Sequence, residues 1–453
     1  MKHALVIQKH RALFAALTAT ATILTASGNI FSSSSVPLSC KVEPERSVLT
    51  ADKPESIMVK VSLRGSERAL RDERSPINMA LVIDRSGSMS GDRIAQAKDA
   101  AIAAVERLTA SDIISVVIFD NTIDTIIPAQ YVSNKQDIVA RIREITARGN
   151  TAIFGGVSQA AAEIRKNTER GYINRIVLLS DGQANVGPQS PADLGRLGVS
   201  LMKEKISVTT IGVGLGYNED LMTRLASKSD GNSYFVENSD DLPRIFKCEL
   251  GSVLSVVAKS VQLSVRFAAG STPVEIVGRD GHIDGKTVTL DLNQIYSAQE
   301  KYVLIRTECE PGRSGDARTI AQAEVSFVDV DSNKSRMVTS VGSVRFSESA
   351  VVVRESVKKD VVREAALNYN AKIVEKAILL ADEGKREEAA QLFEKQAASL
   401  KKQAADYDLS DLKAEAAYQL DNSMKVKSSG MSARSRKENV QRNFEVQQQQ
   451  MKQ

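Results

Sequence analysis

From about residue 75 the chain alternates short, almost uninterrupted apolar runs with longer stretches in which apolar residues recur every three to four positions. The first kind, at 79–83, 113–119, 175–179, 206–213 and 233–236, is rich in β-branched and aromatic residues and predicts strands buried on both faces. The second kind, at 92–107, 135–143, 154–166, 193–204 and 218–228, predicts amphipathic helices between them. A short additional strand is predicted at 122–127, after the Asp120-Asn121 turn. Strand and helix in alternation predict an α/β domain, 75–257, with a doubly wound, mainly parallel sheet.

On either side the texture changes to period two, at 56–63 and again over 260–346. Val261, Leu263, Val265 and Phe267 share one face of a predicted strand, as do Val288, Leu290 and Leu292 in a second and Ala323, Val325 and Phe327 in a third. At 302–305 apolar side chains point both ways, so that strand is expected to be covered on both faces. Two separated strand regions predict a flanking antiparallel β-sandwich, 41–74 and 258–348, into which the α/β domain is inserted. Beyond it, Val357, Val361, Ala365, Ile373, Ala377, Leu380, Ala390, Phe393, Ala397 and Leu400 predict a helical hairpin within 349–422. Residues 383–389 resemble the turn of a tetratricopeptide unit, without the array of repeats such folds need. The polar, Lys- and Arg-rich stretch 423–453, with its Gln447 to Gln450 run, is expected to be disordered.

Composition narrows the classes. With 453 residues, two or three domains are the prior expectation. A net charge of +4 spread along the chain predicts no nucleic-acid partner, which would need basic residues concentrated on one face. Lys2, His3, Lys9, His10 and Arg11 followed by the apolar 12–26 read as a signal peptide over 1–28, implying export to the periplasm or cell envelope, or secretion. An uncleaved anchor and a lipid at Cys40 are the competing readings. The rest of the chain lacks a stretch near the roughly 20 apolar residues of a spanning helix, so no transmembrane span is expected in the mature chain. Cys40, Cys248 and Cys309 allow at most one internal bridge. Past the first residues His282 is the only histidine, and it falls in a predicted hairpin tip, which argues against triad chemistry and against an imidazole-bound zinc.

The chemistry sits just beyond predicted strand ends. Asp84-Arg85-Ser86-Gly87-Ser88 follows the strand at 79–83, Thr151 precedes the helix at 154–166, and Asp181-Gly182 follows the strand at 175–179. Loops at the carboxyl ends of parallel strands converge where strand order reverses, so Asp84, Ser86, Ser88, Thr151 and Asp181 can face one crevice. Two carboxylates and three hydroxyls form a hard-oxygen donor set, suited to Mg²⁺ or Mn²⁺. These residues resemble the metal-ion-dependent adhesion site of von Willebrand factor type A (VWA) domains at all five motif positions, and the likeness covers about 75–257. The resemblance implies that serines and threonine contact the ion, that aspartates act directly or through water, and that a Glu or Asp of a protein partner completes the shell. The flanking strands resemble those of exported bacterial members of the family.

Other motifs carry less. Gly212-Val213-Gly214-Leu215-Gly216 has the wrong spacing for a dinucleotide loop and reads as a turn. The stretch 329–333 lacks the sixth-position Gly and twelfth-position Glu of a calcium loop and reads as a hairpin turn. A phosphoryl hydrolase using Asp84 as nucleophile would want a second carboxylate where Ser86 stands. The favoured function is therefore cation-dependent protein binding without catalysis; the alternative is an exported envelope scaffold in which the ion only stabilises loops.

Overall fold

The computed structural model describes residues 36–67, 75–168 and 171–450; the segment read as a signal peptide, 1–28, lies outside them. The described chain begins with β1 (Leu38–Pro44), β2 (Val48–Thr50) and β3 (Glu55–Gly65), the last of which contains the alternating stretch at 56–63. The chain then enters the α/β block through β4 (Ile77–Asp84), α1 (Asp92–Arg107), β5 (Ile113–Phe119), β6 (Ile123–Tyr131), α2 (Lys135–Arg143) and α3 (Ile153–Arg165). The block continues with β7 (Ile173–Ser180), α4 (Pro191–Lys203), β8 (Ile206–Val213), α5 (Glu219–Lys228), β9 (Ser233–Val236) and α6 (Leu242–Leu254).

Its sheet has the order β6-β5-β4-β7-β8-β9, parallel throughout except for β6 against β5. Every residue of β4, β5, β7 and β8 is buried, which explains why these strands read as apolar runs rather than as alternation. Period two still decides which core each side chain joins. Ile77, Met79, Leu81 and Ile83 face α1, α2 and α6, whereas Ala80 and Val82 face α3, α4 and α5. Helix starts follow local chemistry: Ser190 and Asp193 form a reciprocal capping box with Pro191 in the first turn of α4, and Asn218 caps α5. Helix α6, not predicted from the sequence, buries Leu242, Ile245, Phe246, Leu250 and Val253 on one face.

After α6 the chain returns to antiparallel strands: β10 (Val256–Phe267), β11 (Ser271–Val277), β12 (His282–Asp284), β13 (Thr287–Tyr296), β14 (Glu300–Cys309), β15 (Ala317–Asp329) and β16 (Ser335–Ser347). One sheet is β1-β3-β14-β11, and the other is β12-β13-β10-β15-β16-β2 with only β2 running parallel to its neighbour. Both contribute to one core, in which Val61 and Val303 are cross-strand partners in the first sheet and Leu263, Val325 and Leu290 are partners in the second. The α/β block thus enters between β3 and β10 of a sandwich. His282 is exposed on the short β12, and the three cysteines are free thiols.

The C-terminal part is larger than the hairpin expected. It comprises α7 (Ala350–Glu355), α8 (Lys359–Asp382), α9 (Arg386–Tyr407), α10 (Ser410–Ser429) and α11 (Ala433–Gln448). Leu304 and Met58 on the outer face of the first sheet pack on Val361 and Ala365 of α8, so β14 is indeed covered on both faces. The expectation of disorder over 423–453 is overturned for 423–450. Several of its polar residues are buried against partners on other elements, Lys437, Asn439, Asn443 and Gln450 among them. Lys437 donates to the Tyr217 carbonyl (2.7 Å) and pairs with Glu219, Arg436 bridges Glu219 (2.5 Å), Asp220 (2.8 Å) and Asp382 (2.8 Å), and the Gln450 amide accepts from Ser233 N (3.0 Å) on edge strand β9. Phe444 and Val426 supply the few apolar anchors. No helix among the described residues is long and apolar enough to cross a membrane.

A buried polar network joins the layers. Asp230, between α5 and β9, pairs with Lys301 of β14 (2.7 Å) and Arg279 (3.6 Å) and accepts from Asn293 N of β13 (2.7 Å). Fully buried Arg175 of β7 donates to the Tyr296 hydroxyl (2.6 Å) of β13 and lies 3.5 Å from Glu249 of α6. Burial works against the charge of Asp230, but Lys301 and Arg279 prevail and hold its carboxyl below the usual range. Removing one member strands buried charge, so Asp230→Ala is expected to destabilise the protein by about 3–5 kcal/mol in denaturant melts.

Candidate functional site

The order β5-β4-β7 makes β4 the strand from which the chain winds outward in both directions, and the crevice outside the ends of β4 and β7 is the switch point of the sheet. Asp84 is the last residue of β4, and Asp181 follows Ser180 at the end of β7. Gly87–Met89 forms a single 3-10 turn, anchored by the fully buried Met89, which folds Ser86 and Ser88 back over Asp84. Thr151 arrives on the loop before α3. That loop is stitched to both neighbours: Gly87 N donates to Gly149 O (2.9 Å), Arg148 N to Arg85 O (2.6 Å), and Asn185 N to Thr151 O (3.1 Å).

All five residues singled out in the sequence meet in this crevice. Asp84 Oδ1 accepts from Ser86 N (2.7 Å) and Oδ2 from Ser180 Oγ (2.5 Å). Ser86 Oγ and Ser88 Oγ are 3.0 Å apart, and Ser88 Oγ donates to Asp181 Oδ1 (2.8 Å). A Cβ on Gly182 would lie 2.9 Å from Thr151 Oγ1 and 3.4 Å from Asp84 Oδ2, so these two oxygens line the same space and only glycine lets them do so. Asp84, Ser86, Thr151 and Asp181 are buried, while Ser88 opens to solvent. Burial pushes the Asp84 carboxyl up to about 6 against the pull of its Ser180 and Ser86 donors, and the nearby Asp181 adds to the rise.

The donors fit a hard divalent cation. No three His, Cys, Asp or Glu side chains cluster to hold a metal among the described residues, so an ion here would take hydroxyls as well as the two carboxylates. Such a set offers oxygen only and leaves part of an octahedral shell to water or an incoming carboxylate.

Several residues that shape the crevice went unnoticed in the sequence. Ser180 is next to a motif residue and was within reach of inspection. Asp120, at the end of β5, was read only as a turn residue. Its Oδ1 accepts from Thr122 N (2.7 Å) and Oγ1 (2.9 Å), its Oδ2 pairs with Arg85 Nε (3.0 Å) and Arg148 Nε (2.8 Å), and its carbonyl accepts from Ala152 N (3.1 Å). It thereby holds the Asp84 and Thr151 loops together from behind. Arg93, in the first turn of α1, contacts Asp181 Oδ2 and donates to Ser88 O (3.1 Å). No sequence pattern distinguishes it from an ordinary surface arginine.

Comparison with known proteins agrees with this architecture. Residues 78–247 match the von Willebrand factor type A domain family. The matched segment is the α/β block that carries the crevice, and the similarity to bacterial relatives runs over a longer stretch of the chain. One relative is the uncharacterized protein sll0103 of Synechocystis, 26% identical over 279 residues, which are 59% of this chain and 65% of that protein. Another is YfbK of Escherichia coli, 29% identical over 212 residues, 46% of this chain and 37% of that one. The chain therefore matches less than two thirds of either relative's length. Among solved structures, the ArnB paralog VWA2 of Sulfolobus acidocaldarius superposes with a TM-score of 0.62 at 18% identity, covering 91% of this chain and 98% of that one, so the fold extends well beyond the VWA block.

The Asp120 cluster gives a pH signature. Burial opposes ionisation of Asp120, but Thr122 and Arg148 prevail and hold its carboxyl at about 2, below the ordinary 3.8. A lowered value means that the folded state binds this proton less well. The resulting stability is complete above about pH 4 and is lost as pH falls through about 2. Asp120→Asn is accordingly expected to lower stability by about 2 kcal/mol near neutrality, with the gap to the parent closing over that window in acid-titrated melts.

Proposed function

We propose that this chain is a divalent-cation-dependent protein-binding protein, with Mg²⁺ or Mn²⁺ held by Asp84, Ser86, Ser88, Thr151 and Asp181 and no catalytic step of its own. The observation that carries the reading is the convergence of these five oxygen donors at the switch point of the sheet, tied together by the hydrogen bonds from Ser86 N to Asp84 (2.7 Å) and from Ser88 Oγ to Asp181 (2.8 Å). A bound ion would act as a Lewis acid that attracts a carboxylate. Asp84 supplies charge from below, the hydroxyls orient the ion without neutralising it, and the exposed Ser88 side leaves a position through which a Glu or Asp of a partner can enter. Rim residues such as Leu215, 43% exposed, would then choose among acidic partners. Export belongs to the same proposal and rests on the cationic and apolar pattern at 1–28.

Calorimetric titration of Mg²⁺ and Mn²⁺ into the full chain is expected to show one saturable site per chain. Asp84→Ala and Ser86→Ala, checked for folding by circular dichroism, should abolish it. Parent protein that binds neither ion, or variants that bind as well as the parent, would remove the basis for the reading.

A further inference from the structure

The crevice already contains a positive charge. Arg93 Nη1 touches Asp181 Oδ2 and donates to Ser88 O (3.1 Å), both within the loops that carry the proposed ligands. The guanidinium also lies against Gly214, where a Cβ would stand 3.3 Å from Nη2, so the β8–α5 loop leaves space for it. The two partners differ in environment: the Asp181 side chain is 0% exposed, that of Arg93 43%. Asp84 is held instead by hydroxyl and amide donors, from Ser180 and Ser86. The cationic group therefore stands on one of the two carboxylates, at the edge of the crevice that opens to solvent.

We propose that Arg93 is an internal cation that competes with the divalent ion for Asp181 and is released toward the mouth of the crevice when the ion binds. The proposal rests on the cation-binding reading above and goes beyond it by assigning a regulator to the site. Guanidinium stays protonated at any working pH, so its charge is permanent. Two cations drawing on one carboxylate repel each other, and the half-exposed arginine, which has water as an alternative partner, is the one free to move. Linkage makes the effect mutual: by whatever factor the ion weakens the contact between Arg93 and Asp181, that contact weakens the ion. In consequence the ion alone binds weakly, and a carboxylate partner, which can engage both the ion and the freed guanidinium, binds to the loaded site with added strength.

The sign of one substitution separates this role from a merely structural one. If Arg93 only orients Asp181, removing it should weaken ion binding; if it competes, removing it should tighten binding. Mg²⁺ alone is titrated calorimetrically into the full chain and into Arg93→Ala and Arg93→Gln, the latter keeping donors for Ser88 O without the charge. Both variants are expected to bind Mg²⁺ roughly threefold to tenfold more tightly than the parent. Thermal melts give a second readout: in EDTA the variants should melt below the parent because Asp181 has lost its counter-charge, and saturating Mg²⁺ should close that gap. Equal or weaker Mg²⁺ binding by both variants, or a loss of melting temperature of the same size with and without Mg²⁺, overturns the assignment. Failure of the parent to bind Mg²⁺ would instead overturn the cation-binding reading on which it rests.

Discussion

Two buried carboxylates at the ends of adjacent parallel strands set the terms for the rest of the molecule. A β4-β7 pair covered by helices on both faces forces Asp84 and Asp181 into a region that water reaches only from one side. Such groups persist only with donors or opposite charge around them. The local design follows from that demand. The 3-10 turn after β4 supplies an amide and two hydroxyls, Ser180 supplies a third, and Arg93 brings charge to Asp181. Under the proposed reading, the residual negative charge, most of it on Asp84, is what would draw a small hard cation into the crevice.

The crevice is not confined to the VWA block in its supports. Gly216, in the loop after β8, abuts the Asp181 carbonyl, and the next residue, Tyr217, has its carbonyl held by Lys437 of α11 and its ring under the same ammonium, 4.3 Å from the centroid. Arg436 fastens α5 to α8 alongside. On the far side of the sheet, Arg175, Glu249 and Tyr296 tie β7 and α6 to β13 of the sandwich. The sandwich thus fixes β7 near the end opposite the site, while the C-terminal helix α11 holds the loop after β8 beside it.

Much of this was legible in the residues themselves. Continuous apolar runs identified β5 and β8 end to end, and helices 92–107 and 135–143 coincide with α1 and α2, because burial on two faces or one leaves unambiguous periodicities. Four of the crevice residues were legible because they lie at or just past the ends of β4 and β7, and Thr151 because it precedes a helix whose start faces the same crevice. What could not be read depends on distant partners. Arg93 and Asp120 gain their roles from residues 88 and 28 positions away, Asp181 and Arg148. Helix α6 is a different case, since the spacing of Leu242, Ile245, Phe246, Leu250 and Val253 is itself helical.

The C-terminal helix α11 shows most clearly where composition misleads. Its hydrophobic content is too low to order it by burying apolar surface, and the rule that polar, charged segments stay solvated follows from that deficit. The rule presumes that water is the best partner available. Here Glu219 and Asp220 at the start of α5, Asp382 at the end of α8 and the unpaired edge of β9 at Ser233 present fixed partners, each already held in place by its own element. The ordering cost falls on α11 alone and is offset by charge-assisted bonds and by closing an open sheet edge. A polar segment reads as disordered when it is considered by itself, and it becomes a helix when the surface it meets carries the complementary charge.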